Sequence, residues 1–570
     1  MMKYYTPILT ILFIFLISFV VSSAIAQENN TPFGLAMHGA PKYTGESPHL
    51  DYINPMALKG GLVKIAASNT TFDTLNPHSL KGQAPENMNL VYDRLMRRVW
   101  DEPFTMYPLI AQSVDVPEDR SSITFHLNPN ATFSDGTPIT TQDVLFSYET
   151  LKEYGRPNMR RVYKLVSSID MIDNSAIKFS LGDGYDRETV MILTMMPVLS
   201  KAWWENRDFN TTLTDIPVTS GPYKIKAFEI GRSITYERDE TYWAKDLFVN
   251  KGHYNFSAIS YEYFRDDTIA LEAFKKGDLN LRREWNITKW QSAYDAMSAD
   301  MIREEIRHQR PERAHGFIFN TRRSLFSSPE IRKALSLAFD DNWVKDNILH
   351  GQFERINSFY PNSALNGHDK ESQPPSLSFR KRLKQANTLL KKSGWIIQNK
   401  KRVHQKSNKP FTFEIILLSP QEEKIALAYQ RNLERLGIKM TIRMLDSATF
   451  QQRKINYDYD MLASYWQNSL SPGTEQMLYW SCHAANEPGR FNYSGICNAD
   501  LDIHSAAIAN AQTYDELLSH AHKIDQILTR NYIMIPLFYK GIDYVAHHTK
   551  IKRPQVTPLY GIVTESWWME

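Results

Sequence analysis

Hydrophobic and polar positions follow a clear pattern in the C-terminal half of the chain. Residues 411–418 form a largely apolar run that predicts a buried strand, and residues 438–444 alternate between apolar and polar side chains, as in a half-buried strand. Between them, apolar residues recur at the spacing of one helix face: Ile425, Tyr429, Leu433 and Leu436. A strand, a helix and a strand in this order predict a right-handed parallel crossover unit, so we expect this part of the chain to be α/β.

The N-terminal segment has the pattern of an export signal. Lys3 precedes an almost unbroken apolar run over residues 8–21, and residues 24–26 fit the small-x-small cleavage rule. The run is shorter than the roughly 18 apolar residues that a membrane-spanning helix needs. We therefore predict a signal peptide over residues 1–26 and a mature chain that begins near Gln27, outside the cytoplasm.

The chain has only two cysteines, Cys482 and Cys497. Neither lies at the predicted cleavage site, where a bacterial lipoprotein needs a cysteine to carry its lipid, so we expect a periplasmic protein without a lipid anchor. Two cysteines in an exported protein predict a disulfide, with two free thiols as the alternative. A bond that closes a loop of about 15 residues stabilises a fold by about 3 kcal/mol.

Sequence motifs of the common enzyme classes are missing. The chain contains no H-E-x-x-H, no G-x-S-x-G and no P-loop. The spacing of Cys482, His483 and Cys497 fits no structural zinc pattern, and the pair His547 and His548 does not either. We therefore expect a protein that is not an enzyme, with no catalytic residue, metal or cofactor. A secreted hydrolase with a dispersed active site is the alternative.

Length and composition limit the class of protein further. The predicted mature chain of about 540 residues is longer than one hydrophobic core usually serves, which predicts two lobes. The net charge is only +3 with 23% charged residues, so we expect no basic face for nucleic acid. Aromatic residues make up 12% of the chain, which fits either large cores or a cleft that holds a ligand against ring faces.

Residues 132–148 combine a turn, a proline and a helix start. Asp135 and Gly136 predict the turn, Pro138 stiffens its exit, and Thr140 with Asp143 three residues later predicts a capping box. The order F-x-D-G-x-P-I-T-x-x-D-V resembles the signature region of the extracellular solute-binding proteins that serve peptide, dipeptide and nickel ABC importers.

Other segments are similar to the same family, in the same order along the chain. The H-x-D-Y-x-N-P pattern at residues 49–55, followed by K-G-G at residues 59–61, is similar to the YejA-type subgroup. Residues 220–223 resemble the family's S-G-P-Y turn, and residues 331–340 resemble its V-R-x-A-x-x-x-A-x-D helix. The resemblance therefore covers nearly the whole predicted mature chain.

The resemblance implies a two-lobed α/β fold of the large peptide-binding class, with a discontinuous first lobe. We expect the first lobe over residues 27–310, with an inserted subdomain at about residues 78–215 that is helical and irregular from residue 146. The second lobe is expected over residues 311–530, and the return to the first lobe over residues 531–570.

The resemblance also implies partners. We expect a monomer that encloses a peptide between its lobes and delivers it to a pair of inner-membrane permease subunits driven by a cytoplasmic ATPase. A protein that scavenges peptides or acts as a chaperone in the envelope is the alternative without transport.

The loop that begins at Tyr465 is the expected ligand-binding segment of the second lobe. In dipeptide and oligopeptide relatives, an aspartate shortly after its tryptophan pairs with the α-ammonium group of the peptide, because a desolvated cation needs a fixed anion nearby. In this chain the loop has no aspartate, and Glu475 comes too late. We therefore expect peptides whose terminus is blocked or unusual, or which carry several carboxylates, such as cell-wall peptides or modified antimicrobial peptides.

The candidates for pairing with ligand carboxylates are Arg282, Arg283 and Arg160, and the alternative is that these arginines pair only with surface acids. The residues predicted to contact the ligand are Tyr465, Trp466, Gln467, Asn468, Ser469, Arg282, Trp285 and Phe72.

Overall fold

The computed structural model describes residues 33–295, 297–368 and 377–570. The predicted signal peptide and the cleavage site near Gln27 lie outside these ranges. Within them, no helix combines the length and the apolar character needed to cross a membrane. The predicted two-lobed α/β fold is confirmed, and each lobe is built around its own large sheet.

A seven-stranded sheet forms the centre of the first lobe. Its middle strand, Leu62–Ala66, runs parallel to both Ala258–Glu262 and Leu281–Glu284. The strand Ile542–His548 pairs with Leu281–Glu284, so the C-terminal part of the chain completes the lobe that the N-terminal part begins. The order across the sheet is Met301–Arg307, Ile542–His548, Leu281–Glu284, Leu62–Ala66, Ala258–Glu262, Ser233–Arg238 and Tyr223–Glu229.

A helix precedes the strand Leu281–Glu284 of this sheet and fixes its position. Asp267–Lys276 begins after Asp266, whose side chain accepts hydrogen bonds from the backbone at Thr268 and Ile269. It ends at Gly277, where φ is 86°, a left-handed conformation that glycine adopts without strain. The chain then enters Leu281–Glu284 and the short helix Ile287–Ser292.

Two smaller sheets precede Tyr223–Glu229 and extend the first lobe. One sheet has the order Leu35–Ala36, Thr105–Pro108 and Met96–Arg98, and the other has the order Ala111–Asp115, Ser122–Leu127, Ala176–Leu181 and Val166–Met171. The helices of this part are Thr141–Tyr154, Pro157–Tyr163, Arg187–Thr194 and Lys201–Trp204. The predicted capping box is confirmed, since the backbone N–H of Thr140 donates to Asp143 at 3.0 Å where the first of these helices begins.

The expectation that the chain from residue 146 is helical and irregular was wrong for two segments. Val166–Met171 and Ala176–Leu181 pair as antiparallel strands. Ile177 and Phe179 are fully buried while the residue between them is half-buried, which is the alternation of a strand.

A five-stranded sheet forms the centre of the second lobe and is covered on both faces. The parallel unit predicted from the hydrophobic pattern is confirmed, because Thr412–Leu417 pairs in parallel with Lys439–Met444 and the helix Pro420–Glu434 connects them. Phe317 packs in the core on one face, and Ile318 packs in a separate core. The strand order is Lys439–Met444, Thr412–Leu417, Met461–Trp466, Ala314–Phe319 and Met534–Pro536.

The remaining elements cover these sheets. The other helices of the second lobe are Pro329–Leu337, Asp341–Asn347, Phe379–Lys392, Ser447–Ile455, Glu475–Trp480, Cys482–Asn486, Ala499–Asn510 and Tyr514–Arg530. The short strand pairs are Glu354–Arg355 with Phe538–Tyr539, Trp395–Gln398 with Lys401–His404, and Ile551–Lys552 with Trp568–Met569.

In the described part of the chain, the backbone crosses between the two large sheets twice. The first crossing segment, residues 308–313, includes the predicted boundary at residue 311. The second crossing segment, residues 540–541, leads into Ile542–His548. The predicted return at residue 531 was too early, because Met534–Pro536 still pairs with Ala314–Phe319 in the sheet of the second lobe.

Cys482 and Cys497 form a disulfide in the second lobe. Cys482 begins the helix Cys482–Asn486. Cys497 directly precedes Asn498, whose side chain caps the helix Ala499–Asn510. The bond therefore joins the starts of two helices.

Candidate ligand cleft

A cavity of about 660 Å³ opens at the carboxyl-terminal edge of the parallel strands in the first lobe. Its lining includes the last two residues of Leu62–Ala66, Tyr261 of Ala258–Glu262 and the first three residues of Leu281–Glu284. The loops that follow these strands also contribute to it. Ligands of open α/β sheets bind in the crevice outside such carboxyl ends. Apart from Arg310 in the first crossing segment, the lining residues all belong to the first lobe. The cavity therefore lies directly beside a connection between the lobes.

Aromatic side chains give the cavity flat apolar surfaces. Trp285, one of the predicted ligand residues, lines the cavity and is 65% exposed. The rings of Trp100 and Tyr560 pack edge to face with their centroids 5.7 Å apart, and both line the cavity. Ring faces of this kind, together with a few polar groups, are typical of small-molecule and peptide sites.

Arg282 lines the cavity, but its guanidinium group is engaged within the first lobe. It pairs with Asp267 at 2.5 Å and with Glu284 at 3.1 Å, and its Nε donates to the Tyr294 hydroxyl at 2.9 Å. The side chain is 5% exposed. Because two carboxylates already neutralise it, Arg282 orders the cavity wall, and its contact with a ligand stays a prediction.

Two further arginines share a single carboxylate at the cavity. Asp543, whose side chain is 1% exposed, accepts hydrogen bonds from Arg283 at 2.9 Å and from Arg310 at 3.0 Å. Burial alone would raise the pKa of Asp543, but the charges of the two arginines outweigh it and hold that pKa below its usual value. Both guanidinium groups are about a third exposed and line the cavity. The three side chains therefore leave one positive charge unmatched beside the cavity.

The same cluster connects the two crossing segments. Arg310 belongs to the first of them, and Asp543 follows the second by two residues. Arg310 also donates to the backbone oxygen of Tyr560 at 2.8 Å and to Nε2 of His308 at 3.0 Å. Burial, helped by the charge of Arg310, lowers the pKa of His308 to about 4, so this imidazole is neutral at pH 7. A ligand that binds these arginines would therefore act directly on the connection between the lobes.

Phe72 and Trp466, both predicted to contact the ligand, lie in hydrophobic cores. Phe72 is completely buried and packs against Tyr263 with ring centroids 5.0 Å apart. Trp466 is 1% exposed and packs against Trp480 at 4.8 Å. Neither residue lines the cavity. The structure shows packing for both, and a contact with ligand stays a prediction.

Tyr465 and Gln467 lie beside the first crossing segment. Tyr465 is 41% exposed, and the guanidinium carbon of Arg313 lies 4.3 Å from the centre of its ring. The side-chain oxygen of Gln467 accepts a hydrogen bond from Nε of Arg313 at 3.1 Å. These two residues of the second lobe are therefore near the connection between the lobes, although they do not line the cavity.

Asn468 and Ser469 hold the shape of the loop. The Asn468 amide donates to the backbone oxygen of Glu312 at 2.9 Å, and the Ser469 hydroxyl accepts from the backbone N–H of Ser471 at 3.0 Å. The Ser471 hydroxyl lies 3.0 Å from Nδ1 of His38 in the first lobe. The loop therefore spans the junction of the lobes, while the role of these side chains in ligand binding stays a prediction.

Most residues of the cavity were not among those proposed from the sequence, and Trp100, Arg310 and Glu565 are three examples. They lie in no motif, and they come together only when the N-terminal, crossing and C-terminal segments fold into one lobe. Arg160, which was a candidate for a ligand carboxylate, lies on the helix Pro157–Tyr163 and does not line the cavity.

Comparisons with known proteins agree with the resemblance seen in the sequence. Residues 105–488 match the model of the bacterial extracellular solute-binding proteins, family 5 (middle part). The chain is 34% identical to the peptidoglycan-binding protein YepA of Agrobacterium fabrum, over 96% of each chain. It is 32% identical to the probable peptide-binding protein YejA of the same organism, over 96% of this chain and 95% of that relative.

A solved structure shows the same fold at lower sequence identity. The oligopeptide-binding protein AppA from Bacillus subtilis, determined in complex with a nonapeptide, superposes with a TM-score of 0.62. The match covers 90% of this chain and all of AppA, with 19% identity. The family match and the 32% identity to the YejA relative over 96% of this chain show the family. The chain belongs to the bacterial extracellular solute-binding proteins, family 5.

Proposed function

We propose that the protein is the periplasmic solute-binding component of an ABC importer and captures peptides between its two lobes. The observation that carries this proposal is the open cavity at the carboxyl edge of the first sheet, beside a crossing segment and lined by the exposed Trp285. A monomer would then deliver the ligand to a pair of inner-membrane permease subunits driven by a cytoplasmic ATPase. Relatives named as peptide-binding and peptidoglycan-binding proteins support this proposal.

The mechanism that follows is a shift between open and closed populations. The first lobe and Arg310 line the cavity, so a ligand held there has one side left for contacts with the second lobe. A peptide that touches both lobes binds the closed form more tightly than the open form, and it stabilises the closed form by that difference in affinity. The two crossing segments are the only main-chain connections between the large sheets in the described part of the chain, so they act as the hinge.

For the ligand class we propose peptides with a blocked or unusual terminus, or with several carboxylates. The loop after Trp466 has amide and hydroxyl side chains where dipeptide-binding relatives have an aspartate. The unmatched positive charge of Arg283 and Arg310 supports ligands that carry carboxylates. Cell-wall peptides and modified antimicrobial peptides have this chemistry.

Calorimetry with purified mature protein tests this proposal. We expect saturable one-to-one binding of a murein tripeptide, and weaker binding of an ordinary α-linked tripeptide with uncharged side chains. An N-formylated copy of the ordinary tripeptide should bind at least as well as its free-amine form. The proposed ligand class is wrong if the free-amine tripeptide binds about tenfold tighter than both the murein tripeptide and the N-formylated tripeptide. A tenfold difference corresponds to about 1.4 kcal/mol. Peptide turnover would instead indicate a hydrolase, and the lack of saturation would indicate a scavenger.

A further inference from the structure

Four acidic residues line the cavity, and three of them are already engaged. Glu86 accepts hydrogen bonds from the backbone and hydroxyl of Ser68. Asp266 caps a helix, and Asp267 pairs with Arg282. The fourth is Glu565, of which only the backbone is hydrogen-bonded among the described residues.

The backbone of Glu565 is fixed, while its carboxylate is left open to the cavity. The backbone oxygen accepts a hydrogen bond from the N–H of Tyr254 at 2.6 Å, within the turn Thr564–Ser566. Among the described residues, the Glu565 carboxylate has no hydrogen bond and no ion pair, and the side chain is only partly exposed. This carboxylate is therefore available to a cationic group of a ligand.

The arginine side of the cavity has an excess of positive charge. Arg283 and Arg310 share Asp543, as described above, so one guanidinium charge is unmatched. The hydrogen bond of Arg283 to Asp543 uses only Nη2, so Nη1 and Nε are free donors with respect to the described residues. Asp543 cannot accept much more, since its second oxygen already faces the backbone N–H of Ile562 at 3.3 Å.

Glu565 and Arg283 line the same cavity without forming an ion pair among the described residues. Burial lowers the pKa of Arg283, and Asp543 and Glu565 both oppose that effect, which places the Glu565 charge within electrostatic range. Among the described residues no ion pair joins the two side chains, although both line the same cavity. A ligand group that carries both charges can therefore pair with each of them inside this cavity.

We propose that Glu565, Arg283 and Arg310 bind an amino-carboxylate group of the ligand, meaning an ammonium and a carboxylate on one carbon. The ammonium pairs with Glu565, and the carboxylate accepts hydrogen bonds from the free donors of Arg283 and is attracted by the charge of Arg310. This inference rests on the proposed function and adds the chemical group that the first lobe reads. The group belongs to a side chain of the peptide or to a free amino acid.

Three matched tripeptides test the ammonium and the carboxylate of this group separately. All share an alanyl-γ-glutamyl start, and the third residue is diaminopimelate, lysine or 2-aminopimelate. The lysine peptide lacks the side-chain carboxylate, and the aminopimelate peptide lacks the side-chain ammonium. For the wild-type protein we expect calorimetry to show about tenfold tighter binding of the diaminopimelate peptide than of either other peptide, since each charged group adds a charge-assisted hydrogen bond.

Two variants should each remove one half of this preference. Glu565→Gln is expected to abolish the preference for diaminopimelate over aminopimelate and to keep the preference over lysine. Arg283→Gln is expected to do the reverse. Glu272→Gln and Arg232→Gln are the matched controls, because both side chains lie outside the cavity and both variants should bind like the wild type.

The outcomes separate this site from the broader proposal. If the wild-type protein binds all three peptides equally, or if Glu565→Gln keeps the full preference, the inference is overturned while peptide binding stands. If free diaminopimelate binds as tightly as its tripeptide, the site is supported and the peptide ligand is not. If none of these ligands binds, the inference fails together with the proposed ligand class. Circular dichroism of each variant should match the wild type, and Glu565→Asp, with the charge drawn back by one methylene, should retain part of the preference if the protein is folded.

Discussion

Replacing Trp466 with alanine is expected to lower the free energy of unfolding by about 3 to 5 kcal/mol, the usual cost of removing a large aromatic side chain from a core. Trp466 is 1% exposed, and its ring packs against Trp480 and Tyr493 at centroid distances of 4.8 and 5.6 Å. Its indole N–H also donates to the backbone oxygen of Phe491 at 2.8 Å. The shift of the urea or thermal midpoint measures this loss.

Trp285→Ala is the control for this prediction, because it removes the same side chain from a site that is 65% exposed. Its stability is expected to change by no more than about 0.5 kcal/mol, as for most surface substitutions. Its affinity for peptide should fall instead, since Trp285 lines the cavity. If Trp466→Ala keeps its stability but loses peptide binding, Trp466 is a ligand residue and its assignment to the core is wrong.

Replacing Asp543 with asparagine is expected to destabilise the protein by about 2 to 4 kcal/mol. Removing one partner from a buried ion pair leaves the opposite charges uncompensated, which usually costs about 3 to 5 kcal/mol. The lower figure applies here because Arg283 and Arg310 are each about a third exposed and keep some contact with water. Unfolding midpoints at pH 7 measure the difference.

The pH dependence of this difference has a definite sign. The pKa of Asp543 in the folded protein lies below the ordinary value of 3.8, so its stabilising effect is complete above that pH and is lost as the pH falls through the folded pKa. The midpoints of wild type and Asp543→Asn should therefore stay apart from pH 7 down to about 4 and converge below it. Glu229→Gln, which breaks an exposed pair with Arg232, should change stability little at any pH. A constant difference down to pH 3 would show that the Asp543 charge is not responsible.

Local patterns in the sequence predicted local structure well. The alternation over residues 438–444 and the helix-spaced residues before it gave the parallel unit, because burial on one face selects side chains at the period of the element. The capping box at Thr140 and Asp143 was equally direct, since both partners are three residues apart in the chain.

Boundaries and burial across lobes were less predictable. The return to the first lobe was predicted at residue 531, but the sequence does not say which sheet accepts the strand Met534–Pro536. Pairing with Ala314–Phe319 decides that in the fold. Trp466 was predicted to contact the ligand because of its place at the end of a strand. In the fold, its ring packs into the core against Trp480. Both outcomes depend on contacts between segments that are distant in the chain.

The arginine cluster of the candidate site could not be predicted from the sequence either. Arg283, Arg310 and Asp543 come from three separate segments, and their meeting depends on the two crossings between the lobes. Of the arginines proposed from the sequence, Arg282 is neutralised by Asp267 and Glu284, whereas Arg283 keeps free donors. Adjacent residues of a strand point to opposite faces, so two neighbouring arginines have different environments that only the fold distinguishes.

Closure of the lobes around a peptide is the central claim, and small-angle scattering tests it most directly. The radius of gyration of the mature protein should be measured without ligand and with a saturating amount of the peptide that calorimetry shows to bind most tightly. We expect a smaller radius with the peptide, because the ligand stabilises the closed arrangement of the lobes. The wild-type protein with a peptide that calorimetry shows not to bind should keep the radius of the free protein. An unchanged radius of the wild-type protein at full occupancy of a tight-binding peptide would contradict closure.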